Sequence, residues 1–215
     1  MFNRVEYKKS ALQILSKNWG LPCLLAVVYL VLLCLAEFAG SIVDACVSGI
    51  LEVGLIFTFM KMISAFSAQD GVSGSGQGEK VTFSTFLEGI ETHWVNALLG
   101  SLWNLLWVFL WSLLFIIPGI VKSYSYSMMF FVLAENPKIN AMRAMDISKV
   151  LTNGHKADLF AMDLSFLGWA LLSCLSFGIG FIWLVPYMKT TETFAYYDLK
   201  RMAFSQNKLT PADFE

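Results

Sequence analysis

The sequence predicts an all-α bundle in a membrane, and three observations carry that reading. Hydrophobic residues make up 57% of the chain and charged residues only 14%, against about a quarter charged in a soluble domain. Mean hydropathy is +0.62. The stretches 18–36, 92–121 and 164–186 hold no Asp, Glu, Lys or Arg, and each suffices for the roughly 20 residues of helix that cross a hydrocarbon core. A globule of 215 residues has too much surface to hide this much apolar side chain from water. Strand-like alternation is missing from these stretches, which argues against a barrel.

The predicted architecture is a single domain, 1–215, with about six transmembrane helices forming three hairpins, plus short amphipathic interfacial or cytoplasmic helices. Residues 2–18 place Val5, Leu12, Leu15 and Trp19 on one side at helical spacing. Two readings are open: a helix lying in the lipid interface, or a packing helix on the cytoplasmic side. A basic start followed by an apolar run and small residues also fits a signal peptide, but the later apolar spans argue against it. Span one covers 20–38. Span two, 50–67, contains Glu52 and Lys61, so its neighbours should shield it. Residues 69–80 read as a flexible Gly/Ser loop. Within it, 74–80 lacks the spacing and the Ser or Thr of a phosphate-binding loop.

Thr85 and Glu88 have capping-box spacing, which predicts a short helix leading into span three, 94–116, broken by Pro118-Gly119. Span four, 119–134, ends at Glu135-Asn136-Pro137. Asn140 is an N-cap candidate and Asn153-Gly154 a stop, bounding an amphipathic helix with Ala141, Ala144, Met145, Ser148 and Leu151 on its packing face. Span five covers 157–175. The chain turns at 177–180, and span six, 179–197, is interrupted by Pro186. A polar tail, 198–215, closes the chain.

Basic residues set the expected orientation. With both termini in the cytoplasm, fourteen of the fifteen Lys and Arg residues fall on the cytoplasmic side, and only Lys122 does not. The positive-inside rule therefore favours that orientation in the cell membrane.

Charges inside a membrane are costly unless paired or hydrated, so they are the first places to seek function. The candidates are Glu52, Pro118, Lys122, Tyr124, Asp163, Pro186, Lys189 and Glu192. Hairpin geometry suggests an Asp163–Lys189 pair with Glu192 one turn away, and a Lys122–Glu52 pair. The prolines each free a backbone carbonyl. One reading is a proton- or ion-linked site between hairpins; the other is structural pairing that sets helix register. Tyr124, with Ser123, Ser125 and Ser127, forms a polar ladder of the kind that joins membrane helices. Lys8, Lys9, His155 and Lys156 are candidate lipid-headgroup contacts, and His93 is placed at the interface. The four Cys residues lack metal or disulfide spacing and read as small hydrophobes. No catalytic set, cofactor motif or metal-ligand spacing stands out, and a net charge of −1 implies no nucleic-acid partner.

Several pieces of the chain carry a family resemblance: Trp111 to Met128, Ala134 to Pro137, Ser148 to Leu151, Gly154 to Lys156, Asp163 to Trp169, Gly178 to Tyr187, and Phe194 to Leu199. Together with Asn18-Trp19 and 51–55 they resemble domain of unknown function 975, a family of bacterial multi-pass membrane proteins, over nearly the whole chain. The resemblance implies fold and location, and assigns no catalytic residue. The family is more distantly similar to a membrane region attached to some glycerophosphodiester phosphodiesterases. No soluble catalytic segment accompanies it here, so that activity is not expected.

Three functions are open in order of expectation. The first is a non-catalytic scaffold or accessory component that meets a membrane or cytoplasmic partner through 138–156. The second is a small transporter or channel with a polar path between hairpins two and three. The third is an intramembrane lipid-acting enzyme.

Overall fold

The computed structural model describes the backbone of residues 2–17, 19–37, 41–69, 81–114, 116–136 and 138–214, and their side chains except at 35–37, 41–46, 67–69, 108–114 and 116–118. The Gly/Ser segment 70–80 lies outside the described residues. Among the described residues the chain is helical throughout, with no strand: α1 Arg4–Lys17, α2 Gly20–Glu37, α3 Ser41–Gln69, α4 Phe83–Leu114, α5 Ile116–Tyr126, α6 Met129–Glu135, α7 Ala141–Thr152, α8 Lys156–Leu175 and α9 Phe181–Ser205, followed by a short 3-10 turn, Pro211–Phe214. Among the described residues two stretches, Val47–Phe66 and Lys156–Leu175, are long and apolar enough to cross a membrane, and α1 with α2 taken as one bent pair would make a third, against the six spans expected.

Several boundaries differ from the sequence expectation for local reasons. The short helix expected near Thr85 and span three are one continuous helix, α4. Its start is capped at Thr82, whose amide is bonded by the Thr85 hydroxyl oxygen at 3.3 Å. Glu88 instead reaches Lys61 of α3 at 3.1 Å. Span four divides into α5 and α6 at Ser127-Met128. Upstream of the break, the hydroxyls of Ser123, Ser125 and Ser127 donate to the carbonyls of Ile120, Val121 and Tyr124, a back-bonding pattern that bends helices. Pro118 falls in the first turn of α5, where the lost N–H is tolerated. Pro186, expected to interrupt span six, lies inside an unbroken α9.

Burial sorts the apolar helices into two kinds. Helix α6 buries Met129, Phe131, Val132, Leu133 and Ala134; a helix apolar on all sides belongs in a core. Helix α8 is apolar over most of its length, yet its Leu164, Leu167, Trp169 and Leu172 are half exposed or more, and Leu175 is 79% exposed. A contiguous apolar surface of that kind marks a membrane or a partner. The α8–α9 hairpin turns through 176–180, with Phe177 and Gly178 at positive φ.

Close backbone approach ties α3 to α4. A Cβ on Gly49 would fall 2.5 Å from the Ser101 Cβ, and one on Gly54 would fall 2.7 Å from the Ile90 side chain. Small residues of this kind let helices pack without large side chains between them. Helix α7 carries the expected cap, the Asn140 side chain accepting from the Met142 amide at 3.3 Å, and the expected packing face, with Ile147 and Thr152 added. It lies along the bundle rather than away from it. Ser148 donates to the Ser125 carbonyl at 2.9 Å, and Thr152 reaches the same carbonyl at 3.4 Å.

Helix α1 takes the packing alternative. Its buried face is Tyr7, Ala11, Ile14 and Leu15, while Val5 and Leu12, expected to share a face with Leu15, are exposed. The Tyr7 hydroxyl donates to the Asp198 carboxylate of α9, and that buried contact decides which face turns inward.

The tail is also partly folded. Phe214 is buried against Phe204, with ring centroids 5.7 Å apart. Lys200 stands over the Phe214 ring at 4.1 Å. Asp213 pairs with Arg143 of α7 and accepts from the Thr210 amide and hydroxyl at 2.8 and 2.9 Å. The Thr210 hydrogen bonds, with Arg143 beside them, hold the Asp213 carboxyl below the usual carboxylate range. A folded-state value below the unfolded one means this contribution is present above about pH 4 and is lost as pH falls through the lower folded value. Carboxypeptidase digestion of residues 210–215 is therefore expected to accelerate on acidification below about pH 4. D213N should show the accelerated cleavage already at neutral pH.

Candidate functional site

Five helices place polar side chains where apolar packing would be expected. Lys189 and Glu192 stand one turn apart on α9, and Glu52 faces them from α3. The Lys189 Nζ donates to Glu52 Oε1 at 2.7 Å and to Glu192 Oε2 at 3.1 Å. All three side chains are mostly buried, at 18%, 25% and 19% exposure. Asp163 on α8 accepts from the Tyr124 hydroxyl of α5 at 2.9 Å. These groups share a cavity of about 200 Å³. Asn104 of α4 and Ser127 complete its polar wall, and Met128, Phe130, Leu159 and Met162 its apolar one.

Local sequence explains the placement. On α9 the hydroxyls of Thr190, Thr191 and Thr193 bond to the carbonyls of Pro186, Tyr187 and Lys189. Their polarity is thus satisfied within the helix, and α9 can run buried with Lys189 and Glu192 on its inward side. Removing a charge of either sign from water costs several kcal/mol, which a good ion pair with further hydrogen bonds offsets.

The expected pairings are partly rearranged. Asp163 and Lys189 do share one cavity, and Glu192 is one turn from Lys189 as expected. The lysine's direct partner from another helix is Glu52, however, in place of Asp163. Lys122, the expected partner of Glu52, lies in a separate groove of about 370 Å³ with Trp103, Trp107, Tyr126 and Lys149. Spacing along the chain brings Asp163 and Lys189 to a common level, but the rotation of α3 and α5 about their axes is set only by packing. Pro186 is buried in α9 and does not line the cavity. The side chain of Pro118 lies outside the described residues.

Two of the four headgroup candidates have other uses. Lys8 donates to the Ser165 hydroxyl and stands 3.8 Å over the Phe166 ring. His155 stacks on Phe2 at 6.0 Å and meets Asp158 at 3.2 Å. Lys9 is exposed and Lys156 half-buried. His93, expected at the interface, is buried against Phe57 with ring centroids 5.3 Å apart. Its Nδ1 is 2.9 Å from the Gly89 carbonyl.

Sequence reasoning missed Asn104. Its Oδ1 is buried with no hydrogen-bond partner. The available signal was an amide inside an otherwise charge-free apolar stretch, where an unpaired polar group is expensive. It also missed Glu135, which accepts from both Tyr196 and Lys200 at 2.5 Å. Among the described residues no three His, Cys, Asp or Glu side chains gather closely enough to hold a metal ion.

Residues 113–203 match the family described as Protein of unknown function (DUF975). The resemblance read from the sequence is thus shown over this segment, which is shorter than the nearly whole-chain match expected. The DUF975 segment supplies Tyr124, Asp163, Lys189 and Glu192 to the cavity, while Glu52 and Asn104 reach it from the preceding part of the chain. No curated protein and no solved structure matches the chain.

Lys189→Met should cost about 3–5 kcal/mol, because it strands two buried carboxylates. A combined Lys189→Met, Glu52→Gln, Glu192→Gln variant should recover most of that loss. Thermal unfolding in detergent measures both; a single variant as stable as the parent would show that the pair carries no structural weight.

Proposed function

We propose that this chain is a multi-pass protein of the bacterial cell membrane, with about six crossings arranged as three hairpins and both termini in the cytoplasm. In this reading it acts as a small transporter whose polar path runs through the cavity between hairpins two and three. The observation that carries the functional part is the cavity itself. Dry packing around Asp163 and Lys189 would have left only structural ion pairs. Instead, about 200 Å³ of space lies against Asp163, Lys189, Glu52 and Glu192. Paired charges next to space inside an apolar bundle are the arrangement found on ion and substrate pathways.

The membrane part draws support from the apolar exposed face of α8 and from the one-sided distribution of Lys and Arg. The scaffold reading draws less support. Helix α7, its expected docking element, turns Ala141, Ala144, Met145 and Ser148 into the bundle, and Arg143 on its outer face is engaged by Asp213.

Reconstitution into liposomes tests the proposal, with radiolabelled small cations, anions and neutral solutes offered in turn. Saturable uptake of at least one solute is expected, reduced at least tenfold in Asp163→Asn. Wild-type uptake no faster than that of protein-free liposomes across all classes would end the transporter reading. Fusion of a reporter active only in the cytoplasm should give signal at either terminus; signal from one terminus alone would rule out an even number of crossings.

A further inference from the structure

We propose that the ligand of this cavity is a small organic ammonium ion, held by Asp163 and Asn104. The proposal rests on the transporter reading and names the class of solute for the same site. Its first support is charge. Three carboxylates, Glu52, Asp163 and Glu192, line the cavity with one ammonium group, that of Lys189. Lys189 is engaged by Glu52 and Glu192. Asp163 has the Tyr124 hydroxyl as its hydrogen-bond partner and forms no ion pair among the described residues. One ammonium group therefore serves three carboxylates, Asp163 among them, and the cavity lining is short of positive charge.

The second support is independent of charge. The Asn104 Oδ1 accepts no hydrogen bond and its residue lines the same cavity; the oxygen itself is covered, so the amide turns toward the cavity to meet a ligand. A buried acceptor left unsatisfied forfeits the hydrogen bonds it had in water. A ligand that brings N–H donors relieves this cost and the charge deficit together. An ammonium group does both: it offers three donors and carries the missing charge.

Size and lining distinguish an organic cation from a bare ion. A metal ion wants several oxygens within about 2.0–2.6 Å, and no such convergence exists among the described acidic residues. A cavity of about 200 Å³ holds roughly half a dozen waters, taking about 30 Å³ for each, which suits a molecule of several heavy atoms. Its apolar wall of Met128, Phe130, Leu159 and Met162 offers a short alkyl chain contact, and the neighbouring rings of Tyr124 and Tyr126 form a surface that attracts organic cations.

Isothermal titration of the full chain in lipid nanodiscs, with propylammonium chloride, sodium chloride and 1-propanol as probes, tests the assignment. Saturable propylammonium binding is expected, with no saturable binding of 1-propanol. Asp163→Asn should weaken it at least tenfold and Asn104→Leu several-fold, while Asp163→Glu keeps most of it. Thermal unfolding of each variant shows whether a loss reflects folding, and Asn104→Leu carries the test should Asp163→Asn fail to fold. Equal binding of 1-propanol would overturn the proposal, as would full displacement by equimolar sodium or unchanged affinity in a folded Asp163→Asn. Binding without flux would end the transporter reading and leave the site standing; flux of another solute without ammonium binding would do the reverse.

Discussion

An ammonium group cannot be carried into an apolar interior without counter-charges, and Lys189 is carried there by a helix with few other places to go. Helix α9 is bordered by α1, α2, α3 and α8, so its inward face is settled by several neighbours at once. Glu52 and Glu192 meet the lysine at 2.7 and 3.1 Å, and this requirement determines the rotation of α3 against α9. Once α3 is set, α4 follows, because Gly49 and Gly54 leave no room for a different registry with Ser101 and Ile90. The second polar contact, Tyr124 to Asp163, does the same for α5 and α8.

The remaining polarity of the bundle is disposed of locally. Serine and threonine hydroxyls on α5, α7 and α9 bond to carbonyls of their own helices, so they add no further unsatisfied donors to the interior. Where two helices share a carbonyl, as Ser148 and Thr152 of α7 share that of Ser125, the same groups fasten one helix to another. Among the described residues two buried side-chain atoms have no hydrogen-bond partner, His93 Nε2 and Asn104 Oδ1; of the two residues, Asn104 is the one that lines the cavity.

The cavity also sits at a junction in the chain. The DUF975 segment provides the α5, α8 and α9 contributions, and the first part of the chain provides those of α3 and α4. Within this assembly α8 and α9 turn Asp163, Lys189 and Glu192 to the cavity, while α8 leaves Leu164, Leu167, Trp169 and Leu172 exposed.

Helical class, the ends of α2, α7 and α8, and the α7 packing face with its Asn140 cap were legible in the sequence. Each depends on interactions within a few residues: hydropathy over a span, a side chain reaching an amide two positions on, glycine at positive φ. The polar members of the cavity were legible too, because a charge or a tyrosine in an apolar run is conspicuous by its cost. Tertiary structure alone decided who partners whom. Lys189 turned to Glu52, Lys122 went to another groove, α1 buried Tyr7 rather than Val5 and Leu12, and the tail folded back through Phe214. These outcomes depend on the rotation of each helix about its axis, which is set by contacts between different helices, as far apart in the chain as Tyr7 and Asp198, and leaves no periodic trace in the sequence.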